Sequence, residues 1–406
     1  MKGVRVALVH DYLVQFGGAE RVLQVLMELF PHAPVFTLLY DRAAPGISID
    51  ERRLRTSWLQ RVPGARRHHR YFPLLMPMAI EHFDFSEYDI VFSVTHSFGK
   101  GVLTGPATMH VSYCFTPTRY LWDDSHRYVQ EFSRLALFRR LAPLALSSIR
   151  LWDYLAAQRV NYYLTSSRFV AGRIRKYYRR EAQVIPPPVE IDKYSVSGTV
   201  GDYYLVVARL VPYKRVELAV AACRRLKRPL KIVGTGPEYA ALRRAAGKET
   251  EFLGFVSDGE LPQLYAGARA LLFPQEEDFG LTPLEAAASG KPTIAYAAGG
   301  ALETVVPGLT GTFFGKQSVP ALMAAMQQSE KTVFDPFRIR QHALGYSREE
   351  FLRRIEASVH THWMHYQEQF TTRKNNVGTS SYQHRQTSDT VGEKRDRSLR
   401  GDNARV

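Results

Sequence analysis

The chain has 406 residues, 45% of them hydrophobic and 23% charged, and carries a net charge of +15. That length is too great for one ordinary core, so two globular domains are expected. No apolar run reaches the roughly 18 residues a membrane-spanning helix needs, and the short one in KGVRVALVHDYL does not make a signal peptide. Cys114 and Cys223 sit far apart in apolar sequence, which fits buried reduced thiols better than a disulfide, and no zinc-type spacing occurs.

VRVALVHDYL reads as a buried strand. Gly17-Gly18 then lead into AERVLQVLMELF, a helix with apolar positions at 22, 23, 25, 26 and 29. Strand, glycine loop and helix form the opening unit of a doubly wound α/β domain. APVFTLLY, YDIVFSV and MHVSYCF read as further strands, and the long segment from LFRRLAPLALSS to NYYLTSS as a helix followed by a strand. The Pro triplet at 186–188 and the small, polar SVSGTVGD place a linker at 186–200. The βα rhythm restarts with DYYLVVAR, KRVELAVAACRRL and PLKIVGTG and continues through EFLGFV, RALLFP and KPTIAYA. REEFLRRIEASVHTHWMHYQEQF reads as a closing helix. Residues 371–406 lack apolar periodicity and are expected to be disordered.

The basic excess is concentrated. The tail from 371 holds eight basic and four acidic residues, +4, which leaves +11 on the body. Residues 52–70, RRLRTSWLQRVPGARRHHR, carry seven arginines, Arg66, Arg67 and Arg70 among them, and no acid occurs from 52 to 80. With Trp58, Tyr71, Leu74 and Met76 interleaved or adjacent, this stretch suits an anionic lipid surface; an ordinary solvated basic face and a nucleic-acid site are the alternatives. Nucleic acid is disfavoured because the charge does not lie along a recognition helix or an RNP-like strand.

The stretch QEEDFGLTPLEAAASG concentrates the chemistry. Thr282 as N-cap, Pro283 at the first helical position and Glu285 at the third make a capping box, and Gly290 closes the helix. On that reading Glu285 satisfies a backbone amide. Glu277 lies on the loop after the strand RALLFP. The amides around Phe279, Gly280 and Leu281 precede a helix N-terminus, where free N–H groups and the helix dipole stabilise an anion. A carboxylate beside an anion is repelled unless it bonds hydroxyls, so the pair suggests a polyhydroxylated phosphate, a nucleotide sugar.

The E-x7-E of Glu277 and Glu285, with FGL and PLEA inside it, resembles the retaining glycosyltransferases of family 4. VVARLVPYKRVELAV, with Arg209 and Lys214, and the glycine turn of IVGTGPE, Gly234 and Gly236, extend the resemblance. It implies an α/β, GT-B fold: two Rossmann-like doubly wound domains with an interdomain cleft and a C-terminal helix packing back toward the N-terminal domain. The expected division is an acceptor domain at 1–185, a linker at 186–200, a donor domain at 201–345, a crossing helix at 346–370 and the tail at 371–406. Glu277 would contact the transferred sugar and Glu285 the ribose. Arg209 and Lys214 would neutralise the diphosphate in place of a metal, so no cofactor is expected. GGAERVL resembles the family's glycine loop, which brings Gly17 and Gly18 close to donor phosphate and acceptor.

THSFGKG and HVSYCFTPTRYLWD are similar to a subgroup that transfers mannose in O-antigen and exopolysaccharide assembly. This makes His96, Lys100, Arg119 and Trp122 candidates for the cleft. Phe115 stands where relatives often have His, so either His96 or His110 substitutes or the role is dispensable. The resemblance further implies that the leaving phosphate takes the acceptor's proton on the same face; no Asp or Glu stands in a context that argues for a double displacement. The resemblance implies hexosyl transfer, most simply mannosyl from GDP-mannose, to a lipid-linked saccharide on the cytoplasmic face of the membrane, the protein being peripherally bound. An epimerase or hydrolase of the same fold and a non-catalytic nucleotide-sugar-binding protein are the alternatives. A nicotinamide dehydrogenase is disfavoured, since no GxGxxG follows the first strand with an acid about 20 residues on.

Overall fold

The structure, a computed structural model, describes residues 3–44, 46, 49–123, 125, 136–196 and 201–389. The first sheet contains Val6–Leu13 (β1), Val35–Tyr40 (β2), Leu54–Thr56 (β3), Ile90–Thr95 (β4), Met109–Cys114 (β5), Tyr162–Thr165 (β6) and Ala182–Val184 (β7). It is parallel throughout, in the order β3-β2-β1-β4-β5-β6-β7. Every residue of β4 and β5 is buried. Their near-continuous apolar runs are what a parallel sheet covered on both faces requires.

The second sheet contains Tyr203–Val207 (β8), Leu230–Val233 (β9), Thr250–Gly254 (β10), Ala268–Phe273 (β11), Thr293–Tyr296 (β12) and Gly311–Phe314 (β13). It too is parallel, in the order β10-β9-β8-β11-β12-β13. Strand order reverses between β1 and β4 in the first sheet and between β8 and β11 in the second. Open α/β sheets bind ligands beyond the carboxyl ends of strands at such a switch point. Asp11 lies near the carboxyl end of β1, His96 follows β4, Arg209 follows β8 and Glu277 follows β11.

The glycine turn after β9 is dictated sterically. Gly234 has φ +132° and Gly236 φ +159°. A Cβ at either would overlap a carbonyl oxygen of the neighbouring loop, that of Ala208 or Leu210. Only glycine lets these two backbones lie this close.

The segment read as a linker is no free tether. Val189, Ile191 and Tyr194 are buried in the second domain's core with Leu205, Leu271 and Leu284. Val189 also forms a bridge with Ser347, just before the closing helix Arg348–Asp389.

The chain divides into compact units at 1–356 and 357–406. Within the first unit, the start of the closing helix touches the N-terminal domain: Phe351 lies 6.0 Å from the Tyr113 ring of β5, and Arg348 pairs with Glu28. The second unit continues the same helix to Asp389, past the end at 370 that the sequence pattern predicts. No proline occurs in it, so loss of apolar periodicity is not by itself a stop signal. The expected disorder beyond 389 lies outside the described residues.

Candidate active site between the two sheets

A cavity of about 870 Å3 lies between the domains. From the first domain Tyr12, Glu20, His96 and Arg119 line it; from the second, Arg209, Tyr213, Gly236 and Glu238. A second cavity, about 820 Å3, shares Arg119 and Tyr213 and has Glu277 in its wall.

Glu277 is held by the ammonium of Lys214, which approaches from the short 3-10 turn Pro212–Lys214. Each side chain of this pair keeps less than a fifth of its surface exposed. A cation and a carboxylate this little exposed attract each other more strongly than a solvated surface pair. Arg209 is exposed on the cavity wall.

The first domain reaches across to the same loop. Asp278, next to Glu277, accepts from Arg119 and Arg173 at 2.7 Å each. Its backbone carbonyl accepts from Ser167 Oγ at 2.5 Å. The Glu303 carboxylate accepts from the amides of Arg168 and Phe169 at 2.9 and 3.1 Å, which satisfies the N-terminus of the helix Arg168–Tyr178. Of these residues only Arg119 is one that the sequence singles out as a candidate. Asp278 lies inside the quoted acidic stretch, but its partners are more than a hundred positions away.

His96 is positioned by Asp11. The buried carboxylate accepts from the amides of His96 at 2.8 Å, Ser97 at 3.0 Å and Gly99 at 2.5 Å, and from Thr95 Oγ1 at 2.8 Å. His96 Nδ1 lies 3.2 Å from the same group. Burial works against the Asp11 charge, but His96 and His10 together with the amides outweigh it, so its carboxyl titrates below the usual range. Of the two histidines left open as substitutes at the Phe115 position, only His96 lines the cavity. His110 is fully buried beside Ser93 Oγ at 2.9 Å, and burial pushes its pKa down to about 3. Phe115 packs on Tyr113, ring centroids 5.0 Å apart.

Glu285 departs from its expected place. The helix Leu281–Ala288 starts after Gly280, whose φ of +94° makes it the N-cap, and no side chain caps it. Thr282 therefore lies inside the helix and the capping box does not form. Glu285 instead accepts from Tyr265 Oη at 2.8 Å and lies 3.5 Å from Arg21 Nη1, beside a small cavity of about 110 Å3. Burial raises its carboxyl above the usual range, outweighing Arg21. Gly290, at φ +71°, does close the helix. Gly17 is the N-cap of the helix Gly18–Leu29, and a Cβ on Gly18 would lie 3.3 Å from Leu281 of the other domain. Phe279 is a buried core residue, its ring 6.0 Å from Tyr346, so its side chain is not offered to a ligand.

Two expected cleft residues are structural. Lys100 is 1% exposed, and its ammonium binds Asp153 at 2.6 Å and the Ser97 carbonyl. Trp122 donates to Asp153 at 2.8 Å and stacks on Tyr177. Thr118 and Tyr178 also donate to Asp153. A buried carboxylate needs this many donors, and Lys100 and Trp122 supply two of them. Arg66 and Arg67 are exposed; the side chain of Arg70 lies outside the described set. Tyr71, Leu74 and Met78 nearby are exposed apolar residues.

Two domains of this topology, with the loop carboxylate and the paired lysine between them, invite comparison with known proteins. Residues 192–341 match the family model described as glycosyl transferases group 1. The GDP-mannose-dependent alpha-(1-6)-phosphatidylinositol monomannoside mannosyltransferase of Mycolicibacterium smegmatis is 30% identical over 192 residues, 39% of this chain and 50% of that protein. The glycogen synthase of Mycobacterium tuberculosis is 37% identical over 134 residues, 30% and 32% of the two chains. The chain thus spans about half the length of the first relative and a third of the second. Among solved structures, Anabaena HepE in complex with UDP superposes with a TM-score of 0.65 at 18% identity, over 88% of this chain and 100% of that one. Sucrose-phosphate synthase from Thermosynechococcus elongatus gives 0.65 at 17%, over 87% and 98%. The fold is GT-B.

Proposed function

We propose that the chain is a retaining hexosyltransferase that takes a nucleotide sugar as donor. The observation that carries this reading is the contact of Lys214 with Glu277 in the gap between the sheets, beyond the carboxyl ends of β8 and β11. On donor binding, the lysine ammonium and the Arg209 guanidinium would turn to the diphosphate, and Glu277, released, would accept from sugar hydroxyls. Charge stabilisation of the leaving group is commonly the largest catalytic term, and two fixed cations would supply it without a metal. Glu285 would meet the ribose from its partly enclosed position, and His96, held by Asp11, would meet the sugar from the first domain.

The mannosyltransferase relative supports GDP-mannose as donor and a lipid-linked saccharide as acceptor. The exposed arginines and apolar side chains around residue 70 would rest the protein on an anionic membrane surface. A glucosyl donor is the second reading, favoured by the glycogen synthase relative and by HepE, whose structure has been solved with UDP-glucose. A calorimetric panel of GDP-, UDP-, ADP- and dTDP-sugars decides between them. Product analysis must then show the donor's anomeric configuration retained; inversion, or turnover only to free sugar with every acceptor, would overturn the transferase reading.

A further inference from the structure

The second cavity has a charge balance that the donor chemistry does not use. Five cations and three carboxylates face it. Most of them are already answered: Arg119 and Arg173 by Asp278, Arg173 also by Asp123, Arg215 by Glu217 at 3.1 Å, and Glu277 by Lys214. Arg168, Lys176 and Glu276 remain exposed, and neither cation has a carboxylate at ion-pairing distance among the described residues. The two cations stand two turns apart on one face of the helix Arg168–Tyr178, with Gly172 midway between them.

Gly172 has no structural reason to be glycine. Its φ is ordinary, and a Cβ there would meet no atom within 4 Å. A glycine inside a helix destabilises it relative to alanine. It leaves an open floor between two cations, and Phe169 and Tyr213 add aromatic side chains to the walls, while Tyr177, stacked on Trp122, carries the Lys176 ammonium 5.4 Å from its ring centroid. Cations without a carboxylate partner that flank bare backbone suit a phosphate or diphosphate, and aromatic faces suit the sugar joined to it.

We propose that this cavity binds the phosphate-bearing sugar of the acceptor, with Arg168 and Lys176 gripping the anion across Gly172. That the occupant is an acceptor rests on the transferase reading; that the site takes an organic phosphate does not. The shared wall residues Arg119 and Tyr213, and Glu277 itself, place such a ligand next to the donor cavity.

The test is calorimetric titration of inorganic pyrophosphate into the full chain saturated with GDP, or with UDP if GDP does not bind. One equivalent should bind. In the double variant Arg168→Gln/Lys176→Gln its affinity should fall by roughly tenfold or more. Gly172→Leu should weaken it as much while keeping or raising Tm, because leucine is the better helix former. Competition by a polyprenyl diphosphate in detergent identifies a lipid-linked source, and competition by a soluble sugar 1-phosphate a free one. If neither nucleotide binds, the donor reading fails, and pyrophosphate titrated into the free chain still tests the cavity. No pyrophosphate binding, or equal binding to native chain and variants, overturns the proposal.

Discussion

Asp278 Oδ1 lies 2.7 Å from Arg173 Nη1, which ties the loop beyond β11 of one domain to a helix of the other. The next residue back is Glu277, so the ion pair that spans the domains also fixes where the loop carboxylate stands. Arg119, at 2.7 Å, doubles the tie. Asp278→Asn should therefore act on both fold and geometry. Charge-assisted bonds are worth about 1.5–3 kcal/mol each, so Tm should fall, and kcat/KM should fall by roughly tenfold or more at temperatures where the variant is still folded, because the loop that carries Glu277 is loosened. Steady-state kinetics beside a melting curve checks this; an unchanged kcat/KM would show that the loop is positioned by other contacts.

Lys100 carries a different expectation. It looked like a cleft cation in THSFGKG, but it is sealed against Asp153. Lys100→Ala leaves that carboxylate buried without its counter-charge, which costs about 3–5 kcal/mol. Chemical denaturation should show the loss. A stable Lys100→Ala with a raised acceptor KM would restore the cleft assignment.

His10 Nε2 and Glu20 Oε1, 3.5 Å apart, give a pH signature. Burial opposes the imidazolium, yet the hydrogen bond and charge of Glu20, with the charge of Asp11, raise the His10 pKa above 6.5. Burial likewise opposes the Glu20 carboxylate, yet His10 holds its pKa below 4.5. A raised histidine contributes stability that is complete below 6.5 and lost as pH rises through its folded value. A lowered glutamate contributes stability that is complete above 4.5 and lost as pH falls through its folded value. The pair therefore contributes fully between pH 4.5 and 6.5. The Tm difference between the native chain and His10→Asn should be widest in that window and narrow on both sides. A difference that does not vary with pH would contradict the pairing.

The surface around residue 70 makes a binding prediction. Arg66→Glu/Arg67→Glu/Arg70→Glu should abolish co-sedimentation with anionic liposomes, since each basic residue near such a surface is worth about 1 kcal/mol and each reversal doubles the change. Undiminished sedimentation would remove the membrane from the account.

How far the sequence could be read depended on range. The βα rhythm, the glycine turn at Gly234 and Gly236, and the positions of Arg209 and Glu277 just past strand ends follow from periodicity and local sterics, and those were legible. The capping box failed on a single backbone angle: Gly280 in the left-handed region starts the helix early, so Thr282 falls inside it. Lys100 and Trp122 were misplaced because the carboxylate that claims both, Asp153, sits on another helix with no motif of its own. Asp278, Arg173 and Glu303 were passed over for the same reason: their work is done between domains, across more than a hundred residues of chain. The long helix ran past its predicted end because nothing in residues 371–389 forbids it.

The central claim, that Lys214 and Glu277 mark a nucleotide-sugar site, is tested most directly by titrating GDP-mannose and UDP-glucose into the native chain and into Lys214→Ala. The account predicts that one of the two binds the native chain and that the substitution weakens it by about tenfold or more. Binding of neither sugar to the native chain, or equal affinity in Lys214→Ala, would contradict it.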